Sequence, residues 1–400
     1  MNVLFISISS IHNMSEHGIT QDLIHEFIAH GHNVYLVSSL ERGSGKETSL
    51  SIESGCHVLR VKIGKNKQAN LIEKGLTTIL LPYIYIIHIV KFFSGIKFDL
   101  VLYPTPPITH YQTARFIKNR DGAKTYLLLK DIFPQNAIDL GMMSTTGPKS
   151  IIYHYFRRKE KKLYAVSDQI GCMSPANVRY VLDHNPEVEF SKVEVCPNAI
   201  EIIDKSIDGI TRNSIRNKYG IPLDKKVFIY GGNLGKPQSI PFLIDCLKAQ
   251  HNDDAYFLIV GDGTEFGKLE KYVNDYRPSN VKLMKRLPKE DYDDMVAACD
   301  VGMIFLDFHF TIPNFPSRLL SYMQAKIPVI ALIDEISDLG EVISCGNFGW
   351  YRTSNNSNNF CEVVNQAIHE LEFINREEEF NYLRQNYNVK KAYEIIVSHM

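Results

Sequence analysis

The residues best placed to do chemistry lie between Thr311 and Ala331, in TIPNFPSRLLSYMQAKIPVIA. Residues 311–315 read as a loop. Pro316 suits a first helical position, where its missing N–H costs nothing. Ser321 then follows Ser317 by four positions and Arg318 by three, which brings it to the same face as both. Leu319, Leu320 and Met323 form the apolar face, and 328–332 reads as a buried strand. A helix that starts after a strand and a loop offers free N–H groups and its dipole to an anion. Arg318 adds a cation, so the chemistry on offer is phosphate binding. The stretch FIYGGNLGKPQSI, 228–240, has the same plan: a strand, a glycine-rich turn and a helix start. It is not a P-loop, because no glycine lies five before Gly235 and Pro237 replaces the Ser or Thr. Gly232, Asn233 and Lys236 can still cradle a diphosphate, through backbone N–H groups and one ammonium. For each stretch the plain alternative is a helix that packs and does nothing else.

Two polar loops stand out in the first half. Pro104-Thr105-Pro106-Pro107 follows a strand over 98–103 and enters a helix containing His110. Asp131-Ile132-Phe133-Pro134-Gln135 follows a strand over 124–130. Ligands bind at the carboxyl ends of such parallel strands. Other motifs fail on geometry. His25 and His30 are five apart, about 140° around a helix, whereas zinc needs histidines four apart on one face. Asp291-Tyr292-Asp293 imitates a metal-binding pair but sits in a helical first turn, where acids suit the dipole. No metal is assigned. Gly261-Asp262-Gly263 lacks the later acid of a dinucleotide site, and no G-x-G-x-x-G marks the first turn of the chain, so no dinucleotide cofactor is favoured.

The elements that must position these residues fill a chain of 400 residues, which suits two domains. Hydrophobic content of 44% and charged content of 22% fit a globular protein with large cores. A net charge of −1 gives no case for nucleic-acid binding. Seven scattered cysteines without a C-x-x-C pair fit reduced thiols in the cytoplasm. MNVLFISISS has no basic leader and reads as a first strand. A strand over 2–8, a loop to Gly18, a helix to about His30 and a strand over 33–38 open a Rossmann-like domain. Further strands are read over 169–174 and 193–196, with the boundary near residue 205. A second Rossmann-like domain starts at Val227, with strands over 255–260 and 301–306. It continues with a helix from Asp334 and a strand over 348–351. The tail, 388–400, is helical, with Ala392, Ile395 and Ile396 apolar.

The most apolar run is 76–93, LTTILLPYIYIIHIVKFF. It is at the short limit for a bilayer span. Two readings stay open. One is a buried helix. The other is a helix in the membrane interface, with Tyr83, Tyr85 and Phe92 as anchors and Lys74, Lys91 and Lys97 meeting anionic head groups. The basic run 157–162 is ordinarily a solvated helix face and offers a second membrane contact.

The segment PSRLLSYMQAKIPVI resembles the nucleotide-sugar segment of glycosyltransferase family 4 enzymes, in the branch that builds bacterial capsule or O-antigen polysaccharide. LKDIFPQNAIDLGM, Val195-Cys196-Pro197-Asn198 and Val260-Gly261-Asp262-Gly263 extend the resemblance over nearly the whole chain. It implies an α/β GT-B fold, two Rossmann-like domains facing across a cleft. Residues 1–205 with the final helix, 388–400, would form the acceptor side, and 206–387 would bind the nucleotide sugar. It implies a retaining glycosyltransferase with no side-chain nucleophile and no cofactor. The donor would be a UDP-linked sugar and the acceptor a lipid-linked glycan, with the protein peripheral to the inner face of the cytoplasmic membrane. Gly18 matches the glycine that lets the backbone approach the donor diphosphate, although a plain helix-start glycine is as good a reading. Gly261, Arg286 and Leu287 match turns around the nucleotide. Asn314, Pro316, Ser317, Arg318 and Ser321 match the donor-binding segment. Asp131 is the carboxylate expected at the acceptor, with a helix cap or ion-pair partner as the alternative, and His110 is a second catalytic candidate. Two departures stand out. Pro313 and Ser321 occupy the places of two family glutamates, and Asn233 that of an arginine. These leave room for a nucleotide-sugar 2-epimerase of the same fold, or for an inactive sugar-nucleotide-binding partner subunit.

Overall fold

A computed structural model of the chain describes residues 1–40, 45–63, 71–148 and 150–400, with the backbone alone for 71–76. The Lys74 side chain therefore lies outside the described residues. The chain forms two compact units, Met1–Glu201 with Asn388–Met400, and Ile202–Tyr387. The first unit ends a little ahead of the boundary read near 205.

In the first unit the order is β1 (Asn2–Ile6), α1 (Ile19–Ala29), β2 (Asn33–Leu40), β3 (Ser49–Glu53), β4 (Cys56–Lys62), α2 (Leu71–Phe92) and β5 (Leu100–Pro104). It continues with α3 (Tyr111–Asp121), β6 (Lys124–Leu129), α4 (Gln135–Asp139), α5 (Ser150–Val166), β7 (Gln169–Cys172), α6 (Pro175–His184) and β8 (Val193–Val195). The sheet order is β3-β4-β2-β1-β5-β6-β7-β8. All pairings are parallel except that of β3 with β4. The β3–β4 hairpin was not expected. Its turn, Ser54-Gly55, has both residues at positive φ, 47° and 80°, the conformation that a two-residue hairpin loop requires. β8 pairs beyond β7 and forms that edge of the sheet.

The second unit contains α7 (Gly209–Lys218), β9 (Lys226–Asn233), α8 (Ile240–Ala249), β10 (Ala255–Asp262), α9 (Phe266–Tyr276), β11 (Val281–Lys285) and α10 (Lys289–Ala297). β12 (Val301–Phe305), α11 (Arg318–Gln324), β13 (Val329–Ile333), α12 (Leu339–Cys345), β14 (Gly349–Thr353), α13 (Ser357–Glu370) and α14 (Arg376–Asn386) complete it. Its sheet is parallel throughout, in the order β11-β10-β9-β12-β13-β14. The strands read as continuous apolar runs because helices bury both faces. One buried group breaks this pattern. Glu379 of α14 is fully enclosed, neither carboxylate oxygen has a hydrogen-bond partner, and burial pushes its pKa well up. The chain then returns to the first unit as α15 (Val389–Val397), capped by Asn388. Tyr393 packs edge-on against Phe27 of α1 and accepts or donates a hydrogen bond with His32 (2.9 Å).

Burial resolves the two readings of the 76–93 run into two faces of one helix. Leu81, Tyr85 and Ile89, four apart, are buried. Tyr85 is not an interface anchor, since its hydroxyl donates to the Ser7 carbonyl at 2.8 Å in the core. On the other face Ile79, Leu80, Tyr83, Ile87 and Val90 are exposed, Ile87 by 63%. Among the described residues no helix is long and apolar enough to cross a membrane. The basic run 157–162 also divides. Glu160 turns inward and holds Arg157 at 2.6 Å, Lys161 pairs with Glu187, and Arg158 and Lys162 face solvent.

Candidate active site

In the second unit Gly232, Asn233, Lys236 and Gly261 lie at the carboxyl ends of β9 and β10, and the segment with Arg318 follows β12. β9 lies between β10 and β12, where the chain's direction across the sheet reverses, the place where ligands bind in such sheets. Gly232, next to last in β9, has φ 111°, a conformation that disfavours any side chain. Gly261 packs directly on it, since a Cβ there would come within 2.0 Å of the Gly232 carbonyl. This close approach sets the turns after β9 and β10 side by side, and the Leu234 N–H donates to the Asp262 carbonyl between them at 2.9 Å. Asn233 donates to Gln238 Oε1 (3.1 Å), which also accepts from the Gly235 N–H (3.2 Å). Asn233 therefore clasps the glycine turn instead of replacing an arginine's charge. Lys236 is exposed on the same turn.

Arg318 is the centre of the site. Its guanidinium lies over the Tyr230 ring, 4.2 Å from the centroid, with Nη2 4.0 Å from where a Cβ on Gly232 would sit. Its Nη1 is buried and has no acceptor among the described residues. A buried guanidinium N–H without an acceptor is costly unless an anion completes it. Tyr322 supports the floor, accepting from the Gly231 N–H and lying 3.2 Å from the carbonyls of Ile229 and Met303. A Cβ at Gly231 would lie 1.7 Å from the Tyr292 hydroxyl, so glycine there makes room for that tyrosine. Tyr230, Tyr292 and Tyr322 were not among the expected site residues. Gly231 and the tyrosine of the LLSYM segment were the available signals.

The loop before α11 departs from expectation. The helix begins at Arg318 and not at Pro316, because the first turn is closed by tighter bonds from Leu319 N–H to the Pro316 carbonyl and from Leu320 N–H to the Ser317 carbonyl. Ser317 is exposed, and Pro316 and Ser321 are half-buried. The Asn314 N–H is not open to a ligand, since it donates to Ser337 Oγ at 2.9 Å, and its amide donates to the Ile312 carbonyl at 3.3 Å. Ser337 in turn donates to Asp334, which also accepts the Ile336 and Ser337 N–H groups. That turn is why no helix starts at Asp334, and α12 begins only at Leu339. Arg286 and Leu287 follow β11, the arginine exposed and the leucine half-buried. Asp291 faces Lys218 and Tyr219, and Asp293 faces Lys205 and Lys289.

In the first unit, Thr105 and Asp131 join the two loops after β5 and β6. Thr105 Oγ1 donates to the Asp131 carbonyl (2.9 Å) and accepts from its N–H (3.1 Å). Burial pushes the Asp131 carboxyl up to about 6, against the pull of the Lys130 ammonium. Burial draws Lys130 down to about 8. A half-buried carboxyl that titrates near neutrality suits proton transfer. His110 needs correction. It is fully buried, stacked on Tyr85 at 5.8 Å and 18°, and neither ring nitrogen has a partner. Burial pulls its pKa down to about 3, so it is a neutral core ring and not an accessible base. Gly18 needs correction too. Its N–H donates to Asp22 Oδ1 at 3.1 Å. Asp22 is buried in the first turn of α1 and also accepts the Glu201 N–H at 2.9 Å. A carboxylate already meets this helix start, so a diphosphate there would be repelled. His17, Asp22 and Glu201 bring possible ligand atoms within 4.8 Å of one another.

The fold is that of an α/β enzyme of the GT-B kind, with Arg318 and the Gly232 turn at the carboxyl edge of the sheet in its second unit. Residues 211–384 match the family model described as glycosyl transferases group 1, and the chain is a glycosyltransferase. It is 23% identical over 305 residues to a "Probable glycosyltransferase WbjE" of Pseudomonas aeruginosa, covering 76% of this chain and 72% of that one. Two solved structures share the fold. HepE of Anabaena in complex with UDP has a TM-score of 0.69 at 14% identity, over 100% of this chain and 99% of that one. The lipopolysaccharide outer core galactosyltransferase WaaB, in its apo form, has a TM-score of 0.64 at 14% identity, over 100% of both chains.

Proposed function

We propose that the chain is a retaining glycosyltransferase that moves a sugar from a UDP-linked donor to a lipid-linked glycan in bacterial surface-polysaccharide synthesis. The observation that carries the reading is Arg318, a guanidinium over Tyr230 whose Nη2 faces the Gly232 turn and whose buried Nη1 has no partner among the described residues. Negative charge grows on the departing diphosphate, and preorganised donors aimed at it lower the barrier. Arg318 and Lys236 are those donors. Asp131 takes the proton of the acceptor hydroxyl. The reading places the protein on the inner face of the cytoplasmic membrane. It does so through the exposed apolar face of α2, with Lys91 at its end, and through Arg158 and Lys162 of α5. HepE, solved with UDP, and WaaB, a lipopolysaccharide outer core galactosyltransferase, support the donor and the pathway class.

Product analysis with UDP-sugars, with and without bacterial membranes, tests this. A glycolipid formed only with membranes, with the donor's anomeric configuration kept, is the expected result. A free 2-epimeric sugar without membranes would make the protein an epimerase. UDP binding without turnover under any condition would make it a partner subunit.

A further inference from the structure

We propose that a polar cavity beside the Asp131 loop of the first unit binds one pyranose ring of a glycan acceptor. This rests on the acceptor-side reading of that unit given above. The cavity measures about 140 Å³ and is built by three elements. Tyr153, Arg157 and Glu160 of α5 line it at spacings of four and three, which bring them to one helix face. Tyr180 and His184 of α6 line it as a stacked pair, with ring centroids 3.9 Å apart and planes at 15°. Pro134 and Gln135 bring it directly after the Asp131 loop.

Each part suits a sugar. A flat aromatic pair packs against the C–H face of a pyranose, as ring faces pack against apolar groups. Sugar hydroxyls both donate and accept, so they need fixed polar partners around the ring edge. Those partners are already held in place. Glu160, 4% exposed, takes Arg157 Nη1 on one oxygen (2.6 Å) and the Tyr164 hydroxyl on the other (2.8 Å). Arg157 Nη2 donates to the His184 carbonyl and to Asn185 Oδ1, both at 2.8 Å. An ionised carboxylate has about four lone-pair sites, so two remain on Glu160 for hydroxyl donors. Charge separates a sugar from a phosphate here. Arg157 is already balanced by Glu160, and a phosphate would face that carboxylate without a cation of its own. Size sets the number of rings. Whole-ligand pockets run to about 300–1,000 Å³, so this one takes a single ring and not an oligosaccharide. On the opposite side of α5, Ile151, Ile152 and Tyr155 are exposed. The helix thus presents a polar pit on one face and an apolar surface on the other, as a glycan with a lipid attached would require.

Saturation-transfer NMR of the full chain with a panel of methyl pyranosides, N-acetylated ones included, tests the site. The UDP site is filled in every sample, and calorimetry of UDP binding is run in parallel. At least one pyranoside should give a signal. Tyr180→Ala should weaken its binding about tenfold, as expected for one lost packed contact, with UDP affinity and melting temperature kept. Tyr153→Ala, as a second variant, should act the same way. No signal from any pyranoside would overturn the inference. So would a signal that both variants leave unchanged. Loss of UDP binding by the unaltered chain would instead sink the donor reading, so the two failures can be told apart.

Discussion

Replacing Arg318 by methionine separates the cost of its buried N–H from its value to the ligand. Methionine keeps a long side chain over the Tyr230 ring and removes the charge. A charge-assisted hydrogen bond to a phosphate is worth about 1.5–3 kcal/mol, so UDP should bind roughly 10- to 150-fold more weakly. Stability should respond differently. The unmet Nη1 donor costs the free protein about 1–3 kcal/mol, and the cation over Tyr230 returns about 0.5–2 kcal/mol. The free variant should therefore lie between a loss of about 1 and a gain of about 2.5 kcal/mol. Isothermal titration with UDP gives the first number, and urea unfolding without ligand gives the second. Unaltered UDP affinity would refute the phosphate role. A weakened affinity together with a stability loss above about 3 kcal/mol would mean that Arg318 holds the fold and only indirectly the ligand.

Asp131→Asn should lower turnover roughly 10²–10⁴-fold while UDP affinity is kept. In the unaltered protein the rate should fall as pH drops through about 6, where the raised carboxyl gains its proton; a rate flat from pH 5 to 8 would remove Asp131 as the base. Glu379 holds its proton in the folded state to a higher pH than in the unfolded chain, so its stabilising contribution is full below the unfolded carboxylate range and is lost as pH rises above it. Glu379→Gln should remove a slope of about 1.4 kcal/mol per pH unit from that window; identical pH slopes in urea unfolding would show that the group is not buried as a neutral acid. Leu80→Glu and Ile87→Glu should leave folding intact, because both side chains are exposed, and should release the protein from anionic liposomes. Unchanged co-sedimentation of the folded double variant would exclude α2 as the lipid contact.

The parts of this fold that were legible in the sequence are those with local signatures. Buried parallel strands show as uninterrupted apolar runs, such as 227–230 and 301–305, and the glycine turn at 231–235 announces a close backbone approach. His110 was misplaced although its signal was present. His110, Ala114 and Ile117 fall at i, i+4 and i+7, the spacing of one buried face, and Tyr85 with Leu81 and Ile89 follows the same rule. Glu160 was hidden by its neighbours, since a carboxylate within a basic run reads as surface although its periodic partners are Arg157 and Tyr164. Gly18 could not have been judged without Asp22, whose side chain reaches back four residues to take the N–H. The tyrosines around Arg318 come from three separate elements and meet only through the tertiary fold.

The return of the chain to its first unit sets an order of events during synthesis. Val389, Ala392, Tyr393 and Ile396 belong to the same apolar cluster as Val3, Phe5, Ile24 and Phe27. When Glu201 leaves the ribosome, the surface that α15 will cover is still bare, and the whole second unit must be made before Asn388 appears. At about 5–20 residues per second that wait is on the order of tens of seconds. The second unit is contiguous and can fold on emergence, whereas the first waits with an apolar seam open to chaperones and to other nascent chains. A premature stop anywhere in the second half therefore leaves the first unit unsealed, even though the lost codons lie far from it in the gene.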